Sequence, residues 1–86
     1  LNTSTQLTQL NNDIARLQAL LQKDQQQITL RESIRQTAEA QLDNGIITSA
    51  DYLVELNAEN QARLNLAIHQ LQLQLAQANY KITSGQ

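Results

Sequence analysis

Apolar residues in the first part of the chain fall at Leu7, Leu10, Ile14, Leu17 and Leu21, in steps of 3, 4, 3 and 4. That rhythm is the seam of a coiled coil, where two positions of each heptad face a partner helix. Asp24 takes the next seam position and Arg31 the one after Ile28, so the stripe is interrupted. It is expected to resume on a drifting face as Leu30, Ile34, Ala38 and Leu42, each four apart. In the second part, Leu64, Ile68, Leu71, Leu75, Ala78 and Ile82 repeat the rhythm in steps of 4, 3, 4, 3 and 4. The pattern predicts two helices, about 4–43 and 49–83.

One passage argues the other way. LQLQLAQ, residues 71–77, alternates apolar and polar as a half-buried strand does. Yet no β-branched residue occurs between Ile68 and Ile82, and Leu, Gln and Ala all favour helix. On a helix the alternation becomes a second stripe: Leu66, Leu73 and Tyr80 are seven apart and lie nearly opposite the Leu64–Ile82 stripe. A helix with two opposed apolar stripes needs a neighbour on each side, and a lone hairpin supplies one. The expectation is a sheet-like or barrel-like array of helices, or self-association.

Between the helices, DNGIITSADYL carries the turn chemistry. Gly45 can take the left-handed conformation that ends a helix near Asn44, with Ile46 free to fold back on the last turn. Thr48 fits as N-cap of the second helix, and Asp51 three residues on completes a capping box. Ile47 and Tyr52 fall at the two positions of a hydrophobic staple. Asp51 and Glu55 complement the positive end of the helix. A tip at 44–48 therefore joins antiparallel helices, and the fold class is all-α, a long antiparallel two-helix coiled-coil hairpin.

Facing residues of such a hairpin have numbers of constant sum. Ile14 with Ile82, Leu21 with Leu75 and Ile28 with Ile68 each sum to 96; Leu17 with Ala78 and Arg31 with Leu64 sum to 95. This register sets the Leu64–Ile82 stripe against the first helix. The helices should be about 60 and 50 Å long at 1.5 Å per residue. Residues 1 to about 10 have no counterpart in it, which suggests a piece of a longer parent.

Composition narrows the reading. The 86 residues include 15 Gln, 8 Asn, 15 Leu and 10 Ala, with no Phe, Trp, Met, Cys or Pro. Leu, Ile and Ala alone suit narrow helix–helix seams better than a thick interior. A net charge of −2 offers no basic footprint for nucleic acid. Without Cys there are no disulfides, and no cofactor is implied. The stretch from Leu64 to Tyr80 has no formal charge, but seven of its 17 residues are Gln, Asn or His, so it is no membrane span. The opening LNTSTQLTQL has neither the basic region nor the apolar run of a signal peptide.

Enzyme chemistry is nearly absent, and no catalytic residue or metal site is expected. His69 is the only imidazole, distant in register from Ser33 and Ser49, and reads as an interface or surface polar group. Arg31 and Arg35 with Glu32 and Glu39 read as exposed pairs, Arg35 to Glu39 at i, i+4. Asp43, Asp51 and Glu55 cluster near the bend, where capping explains them most simply. Ile46 and Ile47 differ, because two adjacent branched apolar residues at the end of a rod are costly to leave in water. Either local packing accounts for them or the tip docks on a partner.

Gly45, then Asp51-Tyr52-Leu53 after five residues, then a long Leu/Ala/Gln helix ending in Asn79-Tyr80-Lys81-Ile82-Thr83-Ser84-Gly85, resembles the C-terminal periplasmic coiled-coil hairpin of TolC-family outer-membrane efflux proteins. The family pattern is a tip Gly, Asp-x-Leu at the start of the return helix and a terminal Gly one long helix later. It covers residues 43–85; residues 1–42 match only as a generic polar helix. The resemblance implies a segment of a trimeric channel of Gram-negative bacteria, its barrel of strands in the outer membrane and its helical barrel crossing the periplasm. Such channels serve efflux pumps and type I secretion. Their tips dock on a periplasmic adaptor protein and so connect indirectly to an inner-membrane transporter.

Carried over by position, Asn44, Gly45, Ile46 and Ile47 are the docking tip, and Asp51 matches the first acidic position at the pore entrance. The second matches Val54, which is not acidic, with neighbouring Glu55 as the available substitute. The residue before the tip Gly is commonly apolar in the family and is Asn44 here. As a piece, the chain is expected to form a dimer or higher bundle. The alternative reading is a soluble coiled-coil interaction or scaffold module in which the tip is only a turn.

Overall fold

The computed structural model describes residues 3–85: α1 runs Thr3–Asp43 and α2 runs Ser49–Ser84. The two pack antiparallel along their length as an all-α hairpin, a rod of 62 × 16 × 15 Å. Helix ends and tip fall within a residue of where the sequence places them. Leu1 and Asn2, at the start of the expected overhang, lie outside the described residues.

The bend is closed by local chemistry. Gly45 has φ +72°, the left-handed value that suits a residue without Cβ. Its N–H donates to the Leu42 carbonyl at 3.0 Å, and that of Ile46 to the Gln41 carbonyl at 2.8 Å. These are the two bonds of a Schellman motif, and they satisfy carbonyls that a helix end would otherwise strand. On the other side, Thr48 Oγ1 accepts from the Asp51 N–H, and the Asp51 carboxylate accepts from the Thr48 N–H, both at 3.2 Å. The capping box is complete.

The face that α2 turns toward α1 is not the expected one. Leu64, Ile68, Leu71, Leu75 and Ile82 are exposed, and Ala78 with them. The buried and half-buried positions include Tyr52, Glu55, Glu59, Ala62, Leu66, His69, Leu73 and Ala76, again in steps of 3 and 4. The stripe of Leu66 and Leu73 is thus the seam, and the register of sum 96 is incorrect. Asp24 with His69 sums to 93, and Arg35 with Glu59 to 94.

The cause lies on α1. Of the expected drifting stripe, Ile34, Ala38 and Leu42 do turn inward, but Leu30 is 53% exposed, and Arg31 and Arg35 keep the heptads running from Ile28. Charges therefore sit inside the seam. In the expected register Asp24 would face the amide of Gln72, and Arg35 those of Asn60 and Gln61. A slide of two or three residues rotates α2 and brings carboxylate to guanidinium and imidazole to carboxylate. Leaving charged groups half-buried without partners costs more than exposing leucines that a further neighbour can cover.

The core that results is thin. Leu17, Ile28, Ala38, Ala62 and Ala76 are its buried apolar members, with Leu17 at 3% exposure. The same slide gives residues from about 8 onward a counterpart on α2, so the overhang is shorter than the sequence suggests.

Candidate functional site

Glu59 is the one charged residue buried among those described, at 6% exposure. Its carboxylate accepts from Nε of Arg35 across the hairpin and from Nη2 of Arg63 at 3.0 Å along its own helix. Arg35 also donates to Glu39 at 3.0 Å, the expected i, i+4 pair, and Arg63 reaches Glu32 at 3.4 Å. Five charged side chains thus form one network joining the helices. The hydrogen bond from Arg63, with that from Arg35, holds the Glu59 carboxyl below its ordinary range despite burial. Hydrogen bonds to Glu59 and then to Tyr52 raise Arg35 above its own ordinary value.

Further from the tip, His69 donates from Nδ1 to Asp24 Oδ2 at 2.5 Å. His69 is therefore an interface polar group. No side-chain nitrogen or oxygen buried among the described residues lacks a partner. The sequence reading passed over Glu59 and Arg63. Their signal was present, since they sit at i, i+4 and Glu59 lies level with Arg35, but it becomes visible only in the right register.

At the tip, the candidate residues divide. Ile47 is half-buried, as a staple requires, and with Asp51 and Glu55 it lines a groove of about 300 Å³ closed on the α1 side by Ile34, Thr37 and Ala38. Asn44, Gly45 and Ile46 lie outside that groove. Ile46 is 69% exposed rather than folded back. The positions it would pack on are Gln41 and Ala40, neither of which presents a large apolar surface. Asp51 spends one oxygen on the capping box, while Glu55 is half-buried beside it.

The outer face of α2 carries half of the exposed large apolar side chains among the described residues. Leu64, Ile68, Leu71, Leu75 and Ile82 run along it diametrically opposite the seam. The described residues hold no group of three or more His, Asp or Glu that could bind a metal ion. None of the described helices is long and apolar enough to cross a membrane. In comparisons with protein-family models, characterised proteins and solved structures, the chain matches none.

Proposed function

We propose that the hairpin is one stave of a helical wall, the periplasmic barrel of a trimeric outer-membrane channel for efflux or type I secretion of the TolC kind. Its tip docks on a periplasmic adaptor protein. One observation carries this reading: α2 is apolar on two opposed faces and α1 covers only one of them. A tube wall gives every helix a neighbour on each side, which is what such a helix requires.

The tip supports the docking half. Ile46 projects from a bend held rigid by the Schellman motif and the capping box, so an apolar contact is offered at little cost in ordering. In this reading Asn44, Gly45, Ile46 and Ile47 meet the adaptor, while the exposed Asp51 stands at the pore entrance and Glu55 lies in the groove beside it. The parent is a passive duct with no catalytic residue.

A photo-crosslinking side chain placed at Ile68, and separately at Ile46, in the complete parent reading frame tests both halves. The expected products are a link from position 68 to another helix of the same oligomer in the outer-membrane fraction, and from position 46 to a periplasmic protein. In the parent without a crosslinker, Ile46→Asp should abolish co-purification of that periplasmic protein with helicity unchanged. A parent without membrane strands that stays soluble would replace this reading by the second one, a coiled-coil scaffold. That reading is favoured by a turn whose hydrogen bonds close without any partner.

A further inference from the structure

The bare stripe of α2 has a symmetry of its own. Leu64 and Ile82, Ile68 and Ala78, and Leu71 and Leu75 each sum to 146. We propose that this stripe pairs with the same stripe of a second copy, α2 against α2 antiparallel, about a twofold axis level with residue 73. Such an isologous contact sets Leu64 on Ile82, Ile68 on Ala78 and Leu71 on Leu75 of the second copy, apolar on apolar at every layer. Parallel packing would instead place Ala78 on Ala78 and leave a gap between bulkier layers. The antiparallel arrangement matches each small residue with a large one.

The rims of the stripe select the same occupant. Asn65, Gln72 and Asn79 flank one side, and Ala67, Gln74 and Lys81 the other. No carboxylate stands on either rim, and Lys81 at one end is the sole cation, so a partner helix with charged edges would meet little complementary charge. Amides both donate and accept, and hence complement themselves. The twofold brings Gln72 to Gln72 and Gln74 to Gln74 at its centre, with Asn65 beside Asn79. The contact extends about 27 Å along the helix. Nothing in the hairpin obstructs it, because α1 lies on the opposite side of α2.

The pairing uses the face assigned above to the wall but does not depend on the duct, since it concerns the 86-residue chain itself. Sedimentation equilibrium combined with single-cysteine crosslinking tests it. The chain should be a dimer. Leu71→Gln with Leu75→Gln should raise its dissociation constant more than about 100-fold while helicity persists. Gln72→Cys should form a disulfide with itself. Leu64→Cys should not, yet should link to Ile82→Cys when the two variants are mixed.

A chain that is monomeric at high micromolar concentration, or any state other than a dimer, overturns the proposal. Self-linking of Leu64→Cys, the mark of parallel packing, also overturns it. None of these results touches the crosslink expected from position 68 in the parent, so the two readings fail separately.

Discussion

His69 donates its Nδ1–H to Asp24 Oδ2 across the hairpin at 2.5 Å, joining residues 45 apart in the chain. The pair occupies a seam position on each helix where leucine would pack better. Its value is in discrimination: only registers near a sum of 93 let the two meet, and the same registers bring Glu59 to Arg35.

His69→Leu therefore leaves a carboxylate with 13% exposure and no partner, and should lower stability by about 1–2 kcal/mol in urea unfolding. Adding Asp24→Leu should return stability to at least the starting value, because both heptad positions then pack. Strictly additive losses in the double variant would refute the pairing.

Glu59 gives the hairpin an acid limb. Its folded pKa lies below the ordinary 4.5, so the stabilisation is complete above that value and fades as pH falls through the folded pKa. The melting temperature should drop as pH is taken from about 5 toward the folded pKa. Glu59→Gln should be less stable at neutral pH and should flatten that slope. Glu39→Gln, at a residue more than half exposed, should do neither.

At the bend, Gly45→Ala has room for the new Cβ but not the backbone for it. Nothing lies within 4 Å of the added atom, yet φ is +72°. The expected loss is about 1 kcal/mol, from conformation alone. Thr48→Ala removes half the capping box and should cost about 1 kcal/mol. Thermal melts followed by circular dichroism read both.

Two leucines two residues apart should behave differently. Leu73 lies in the seam and Leu75 on the outer face. Leu73→Ala should destabilise the hairpin by about 2 kcal/mol at every protein concentration. Any effect of Leu75→Ala should appear only where chains associate. The reverse order would restore the register of sum 96.

The local half of this fold is legible residue by residue. Gly45, Thr48 and Asp51 announce the bend because capping depends on neighbours three to five residues away. Facing residues are another matter. Hydrophobicity favours the Leu64–Ile82 stripe for the seam, and by that criterion it is the better one. The decision goes to Asp24, Arg35, Glu59 and His69, whose pairing is a relation between distant positions, invisible in either helix read alone. Ile46 was ambiguous for a related reason: its exposure depends on Gln41 and Ala40 offering nothing to fold against.

The bend bonds span no more than five residues, whereas Leu10 and Asn79, which line the same groove near the open end, are far apart in sequence. The cost of closing a loop rises with its length, so pairing is cheapest beside Gly45 and each layer shortens the closure needed for the next. The molecule then zips from the tip outward and opens from the other end. Amide exchange should slow steadily from the Leu10 level toward Ala38 and Glu59. A chain cut short at its open end keeps a folded tip, and one broken at Gly45 loses the place where folding begins.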